Sequence, residues 1–287
     1  MTPEAILDRL DQLVARLEQL FDPAADETAV PADAIAFNWT SDLHGRRLQA
    51  VATPHRIQLD DLVGVDQQKQ DLLRNTRQFL QDLPANNALL WGARGTGKSS
   101  LVKALLNELH VQGLRLVELG KQDLVDLHDI MTLLHGQPHK FILFCDDLSF
   151  ETDDASYKAL KSALDGSVSS QADNVLIYAT SNRRHLMPEP MKDNLESYPM
   201  DGEIHFGDAI EEKISLSERF GLWLSFYSYN QDTYLDIVNH WLKHHGMSLD
   251  DDARLAALQW AQQRGARSGR SAWQFARDWA GRAQLKP

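Results

Sequence analysis

Eight consecutive residues carry the densest chemistry in the chain: Gly92-Ala93-Arg94-Gly95-Thr96-Gly97-Lys98-Ser99. They fit the pattern G-x-x-x-x-G-K-[ST]. Its glycines let the backbone turn back on itself and bring consecutive N–H groups toward phosphate oxygens. Lys98 would place a point charge at the β- and γ-phosphates of a nucleotide, and the Ser99 hydroxyl would ligate Mg²⁺. Ser100 belongs to the first turn of the helix that must follow, whose N-terminal dipole would face the same anion. The flanks agree. Residues 88–91 (Ala-Leu-Leu-Trp) are an apolar run of buried-strand type, and residues 100–106 place apolar side chains three to four apart. Strand, loop and helix in that order predict a nucleoside triphosphate site.

Two further stretches could complete such a site. Residues 140–147 (Lys-Phe-Ile-Leu-Phe-Cys-Asp-Asp) are an apolar run ending in two acids, Asp146 and Asp147, where a parallel strand would hold a metal-binding carboxylate. Residues 174–182 form another apolar run with Asn182 at its polar tip.

Stepping outward, the elements that must position these residues alternate. Strands are predicted at 88–91, 114–119, 140–147, 174–182 and 222–226. Helices are predicted at about 66–83, after the loop, at 123–134 and at 156–164. Three helical patterns then follow without strands, at 232–244, 250–264 and 271–284. This order predicts an α/β fold: a parallel five-stranded sheet with a small helical C-terminal domain. Residues 3–21 read as a helix with a stripe of Ile6, Leu10, Leu13, Leu17 and Leu20, suited to docking on its own domain or on a partner. Residues 22–54 mix Pro, Ala, Asp and Thr and are expected to be a mostly irregular linker. Residues 183–215, with Pro188, Pro190 and Pro199, are expected to be mostly loop with short helical pieces. The expected domains are 1–54 (helix and linker), 55–229 (α/β) and 230–287 (helical lid).

Composition bounds the function. The chain has 287 residues, ordinary hydrophobic content (43%), and a net charge of −12 from 29 basic and 41 acidic residues. That balance argues against nonspecific coating of nucleic acid. It is uneven, because from residue 253 onward Arg254, Arg264, Arg267, Arg270, Arg277, Arg282 and Lys286 face a single acid, Asp278. No apolar run approaches the roughly 20 residues of a membrane span. The acidic N-terminus does not read as a secretory signal. One cysteine, Cys145, excludes an intramolecular disulfide and fits the cytoplasm.

With these motifs in this order, residues 55–285 resemble the AAA+ ATPases. More closely, residues 144–151 (Phe-Cys-Asp-Asp-Leu-Ser-Phe-Glu), 178–184 (Tyr-Ala-Thr-Ser-Asn-Arg-Arg) and 215–221 (Ser-Leu-Ser-Glu-Arg-Phe-Gly) resemble a bacterial family of predicted AAA+ ATPases described as a domain of unknown function. The resemblance implies that Asp146 holds Mg²⁺ through water. It implies that Asp147 polarises the attacking water where most AAA+ enzymes use the longer glutamate, with Glu151 as the fallback. Asn182 resembles the sensor asparagine, whose alternative is a turn cap. Arg219 resembles an arginine finger presented to a neighbouring subunit. Its alternative is an intramolecular salt bridge, and Arg183 and Arg184 compete for the role. Arg270 resembles the lid arginine that reaches the γ-phosphate, with Arg267 close enough to be confused with it. Residues 57–64, with Val63 and Gly64, resemble the segment on the adenine side. Residues 120–123 (Gly-Lys-Gln-Asp) lack the aromatic loop of protein-threading AAA+ machines, so processive unfolding is not expected.

The expectation is an ATPase using ATP and Mg²⁺ as a switch or remodeller, assembling with copies of itself when ATP is bound and acting on a protein client. The alternative is an ATP-dependent adaptor or loader of nucleic-acid machinery with little hydrolysis. A small-molecule kinase would leave Asn182, Arg219 and the helical tail without a purpose. The histidines, including His244 and His245, show no metal-ligand spacing and read as surface residues. Trp223, Phe226, Tyr227 and Tyr229 read as core and strand edge.

Overall fold

The computed structural model describes residues 31, 33–42, 45–150, 154–165, 173–184, 186, 198–200, 203–205 and 216–285. In chain order the strands are β1 (Ala36–Asp42), β2 (Gly45–Ala50), β3 (Ala88–Gly92), β4 (Leu114–Leu119), β5 (Lys140–Cys145), β6 (Val175–Ser181), β7 (Tyr198–Met200), β8 (Glu203–His205) and β9 (Leu222–Phe226). The helices are α1 (Asp66–Leu80), α2 (Lys98–Leu109), α3 (Leu127–Leu134), α4 (Ala155–Asp165), α5 (Gln231–His244), α6 (Asp251–Gln263) and α7 (Gly269–Gln284).

The five strands expected from apolar runs lie side by side and parallel, in the order β4-β5-β6-β3-β9. Parallel strands covered on both faces need continuous apolar sequence, and β5 supplies it, being buried from Phe141 to Cys145. Alternate residues then serve opposite faces. Leu89, Phe141, Leu143, Ile177 and Ala179 pack under α3 and α4, whereas Leu90, Ile142, Phe144, Leu176 and Tyr178 pack under α1 and α2.

Two expectations are corrected here. The sheet has seven strands, not five, because residues 36–50 are not an irregular linker. β1 adds parallel to β4, from Ala36↔Leu116 to Asn38↔Glu118, and buries Phe37 and Trp39. β2 returns antiparallel along β1 as the sheet edge. Its pattern is mostly polar because an edge strand buries little, and only Leu48 of β2 enters the core. In the 183–215 segment, the described residues include a two-stranded antiparallel sheet, β7 with β8, where loop and short helical pieces were expected. The predicted helix at 123–134 opens as a 3₁₀ turn over Lys121–Asp126 before α3. The predicted helix at 3–21 lies outside the described residues.

The C-terminal helices α5, α6 and α7, the segment expected as a lid, pack around Tyr234, Val238, Leu242, Ala257 and Phe275. Each helix starts on a side-chain cap: Asn230 accepts from Thr233 N, Asp250 from Ala253 N, and Ser268 from Ser271 N. Such caps satisfy donors that the first turn leaves free.

The hairpin is pinned by one buried carboxylate. Trp39 Nε1 donates to Asp126 Oδ2 at 3.0 Å, and Arg46 Nη2 lies 3.0 Å from Asp126 Oδ1. Asp126→Ala would strand the indole N–H and is expected to destabilise the protein by about 2 kcal/mol. Arg46→Ala, whose guanidinium reaches solvent, should cost less than about 1 kcal/mol. Urea unfolding followed by tryptophan fluorescence checks both, and equal effects would show that the carboxylate does not anchor the hairpin.

Candidate functional site

The loop between β3 and α2 is shaped by what presses on it. Ala93 N donates to the carbonyl of Phe226 at 2.9 Å, fastening the start of the loop to the end of β9. A Cβ on Gly92 would lie 2.0 Å from that carbonyl oxygen, so only glycine allows the approach. Thr96 Oγ1 donates to Ala93 O at 2.8 Å and closes the turn. Gly97 precedes Lys98, where α2 begins, so Ser99 and Ser100 occupy its first turn. The loop thus meets the helix start where an anion is best stabilised.

Lys98 folds back into this loop and is only 7% exposed. Its Nζ donates to Gly92 O and Ala93 O at 2.8 Å each, and to Asn182 Oδ1 at 3.2 Å. Burial lowers its pKa from the usual lysine value, the charges of Asp147 and Asp146 oppose that, and Arg94 and Arg270 add to it. The ammonium is held by neutral oxygens while the carboxylates act on it through space. That arrangement suits a cation meant to meet a further anion.

The acidic strand end lies beside it. Ser99 Oγ donates to Asp146 Oδ1 at 2.6 Å. The pairing of Cys145 with Ala179 places Thr180 next to Asp146, and the Thr180 hydroxyl donates to Asp146 Oδ1. The same hydroxyl accepts the backbone N–H of Asp147 at 2.8 Å. Asp147 adopts φ +52°, a left-handed conformation that an L residue holds only when its surroundings demand it. Asn182 Nδ2 donates to Asp147 Oδ1, so one amide joins the Lys98 ammonium to the Asp147 carboxylate. A hydroxyl and a carboxylate in contact beside a buried ammonium form a hard oxygen set that fits Mg²⁺ with a phosphate.

The lid closes on the same loop. Gly269 N, in the first turn of α7, donates to Gly95 O at 2.8 Å, and Arg270 N lies 3.4 Å from that oxygen. Gly95 has φ +74°, and a Cβ there would come within 2.9 Å of Ser268. Tyr229 OH donates to Thr96 O at 2.7 Å, and burial pushes the phenol pKa up to about 12. On the other side Val63 packs on the lid core, and a Cβ on Gly64 would meet Thr233 Cγ2 at 2.5 Å.

The structure therefore brings together Gly92 to Ser99, Asp146, Asp147, Asn182 and the backbone of Arg270, with Val63 and Gly64 between loop and lid. Arg270, not Arg267, meets the loop backbone. Arg219 does not join this cluster within the chain; its Nε donates to Asp165 Oδ1 at the end of α4. Arg184 stacks its guanidinium 5.5 Å from the Trp91 ring centroid. Glu151 lies outside the described residues. Sequence reasoning missed Thr180, Ser268 and the role of Tyr229. Thr180 had a signal, since it lies two residues before Asn182 on the strand next to the acidic one. Tyr229 had none that separates it from ordinary core.

The model of a family described as "Protein of unknown function (DUF815)" matches residues 32–283. No curated protein matches the sequence. Among solved structures, the chain is similar to a RuvB variant from Thermotoga maritima, with TM-score 0.54 and 18% identity over 77% of this chain and 63% of that one. It is also similar to ORC1 from Aeropyrum pernix in complex with DNA, with TM-score 0.53 and 15% identity over 78% of this chain and 62% of that one. The chain thus spans less than two thirds of the length of either. At such identities the likeness bears on the fold, which is of the AAA+ type. No helix among the described residues is long and apolar enough to cross a membrane.

The lid contacts predict a graded response. Tyr229→Phe removes one buried hydrogen bond, worth about 1 kcal/mol, or roughly fivefold in an opening equilibrium. Hydrogen exchange at the first-turn amides of α7 should quicken by that factor. Gly95→Ala, strained and crowded against Ser268, should quicken it more. Unchanged exchange in both variants would mean that the lid is held elsewhere.

Proposed function

This chain belongs to the family described as proteins of unknown function (DUF815), so its activity must be argued from its site, and we propose an ATPase that binds and hydrolyses Mg·ATP as a switch or remodeller of a macromolecular assembly. One observation carries the reading: the buried Lys98 ammonium and the Ser99–Asp146 pair stand side by side at the start of α2, linked to Asp147 through Asn182. In this reading the loop N–H groups and Lys98 bind the phosphates, and Val63 and Gly64 line the adenine side. Mg²⁺, held by Ser99 and through water by Asp146, would neutralise charge developing on the β- and γ-phosphate oxygens.

The residues divide the remaining work. Asp147 accepts a hydrogen bond from the attacking water and takes its proton as the water adds in line to the γ-phosphorus and the bond to the β,γ-bridging oxygen breaks, with ADP as the leaving group. Its carboxylate is aimed by the Asn182 amide. Because aspartate is one methylene shorter than glutamate, the water must sit closer to the strand end. Arg270 is carried to the loop by the first turn of α7, from which its guanidinium serves the γ-phosphate and makes lid closure depend on it. Arg219 serves a neighbouring copy as the cation that completes that copy's site, and Asp165 orients it within its own chain. Hydrolysis then removes the group that favours the closed lid. The client would be a protein assembly, and ATP would favour the homo-oligomer.

A second reading, an adaptor or loader of nucleic-acid machinery, draws support from the lid. Arg264 stacks 3.4 Å from the Trp260 ring centroid and Arg277 4.6 Å from that of Trp273, on a segment rich in arginine. Similar structures include a Holliday junction branch migration motor and ORC1 in complex with DNA. Steep salt dependence of DNA binding, with little phosphate release, would favour it.

The test is solution mass and phosphate release with Mg·ATP, with ADP and without nucleotide. Lys98→Ala is expected to lose nucleotide binding and turnover together. Asp147→Asn should keep binding and lose at least about 100-fold in turnover. Arg219→Ala should keep binding but lose most turnover. Normal turnover in Arg219→Ala would reduce that residue to the intramolecular partner of Asp165.

A further inference from the structure

The 3₁₀ turn Leu59–Asp61 ends on a carboxylate that the loop chemistry does not use. Asp61 is 9% exposed, and its Oδ2 accepts the Gln58 N–H at 2.8 Å. Its Oδ1 points to α5, where His240 Nε2 lies 3.1 Å away and His244 Nε2 3.3 Å away. Histidines four apart share one face of a helix, and these two rings have centroids 4.7 Å apart. One ligand atom from each of the three residues falls within 4.8 Å of the other two.

We propose that Asp61, His240 and His244 form a binding site for a zinc-class divalent cation that staples the lid to the base domain. Bonds of about 2.0–2.1 Å to nitrogen and oxygen at tetrahedral angles place neighbouring ligand atoms about 3.3 Å apart. The two N···O separations already match that edge. Binding needs only the tautomer that keeps each proton on Nδ1 and leaves Nε2 its lone pair. Two imidazoles with one carboxylate oxygen suit zinc, nickel or copper, whereas Mg²⁺ and Ca²⁺ favour oxygen-only shells. With three protein ligands a water takes the fourth position, on the side where the His244 side chain is 49% exposed. Asp61 and His240 are 179 residues apart, the first on the segment that leads to Val63 and Gly64 and the second, with His244, on the helix whose Thr233 covers Gly64. A bound cation therefore ties together the two walls that flank the loop. The site's existence does not rest on nucleotide chemistry.

Untagged protein stripped with chelator and free of nucleotide would be titrated with Zn²⁺ and Co²⁺. One equivalent of each is expected to bind saturably, Co²⁺ with the visible absorption of a tetrahedral site, and Zn²⁺ with a raised melting temperature that Mg²⁺ does not reproduce. His244→Ala, at a partly exposed position, should weaken binding at least tenfold with an unchanged circular dichroism spectrum. His240→Ala should abolish the cobalt spectrum. His245→Ala, on the neighbouring exposed residue, should bind like the wild type and so separates this site from the other histidines. Absence of one-equivalent binding, or wild-type affinity in the His240 and His244 variants, would overturn the proposal and leave the three groups as a metal-free hydrogen-bonded latch.

Discussion

The buried Lys98 ammonium is the constraint on which the site depends. A cation removed from water is tolerated only where oxygens replace its hydration, and the chain supplies them from three directions. Gly92 and Ala93 offer loop carbonyls, and Asn182 offers an amide from the neighbouring strand. Pairing of Trp91 with Ser181 brings Asn182 alongside the loop, and pairing of Cys145 with Ala179 brings Thr180 alongside Asp146. A slip of one residue in either register would turn these side chains to the opposite face. The register of a buried sheet, set by apolar packing, thereby sets the placement of polar groups at its C-terminal edge.

Much of this was legible in the sequence, for reasons that differ by residue. The loop was legible because its glycines, lysine and serine are required locally. The five central strands were legible because burial on both faces leaves unbroken apolar runs such as Phe141 to Cys145. The helices of the lid were legible from their period alone, and the caps Asn230, Asp250 and Ser268 emerged only with the structure. β1 and β2 were not, because an edge hairpin needs only Phe37, Trp39 and Leu48 as buried anchors within a polar stretch. That the backbone of Arg270, not of Arg267, meets the loop is visible only in the hydrogen bonds from α7 to Gly95, since both arginines flank the same cap. The Asp61, His240 and His244 cluster was missed although His240 and His244 are four apart on one helix, contrary to the reading that the histidines show no metal-ligand spacing; the carboxylate meets them only once the lid has folded back.

The lid is joined to the loop by chemistry that needs no nucleotide. Tyr229 and Gly269 bond to the carbonyls of Thr96 and Gly95, so the loop uses oxygens to hold the lid, while of its N–H groups that of Ala93 is taken by Phe226 O. Burial lowers the Lys98 pKa most and the Asp147 and Asp146 charges oppose it, while Arg94 and Arg270 lower it further, so carboxylates and guanidinium groups both act on the ammonium at this end of the sheet.

The short segment from Phe226 to Asn230 has mechanical meaning. It takes the Ala93 N–H at one end, bonds Thr96 through Tyr229 in the middle, and caps α5 at the other end, so loop and lid share a fulcrum. α7 extends from the loop for 16 residues, about 24 Å at helical rise. A tilt of about 10° at its base would carry its far end through about 4 Å. In the proposed switch α7 would act as a lever, a small tilt at Gly95 being delivered as side-chain-sized travel at its far end.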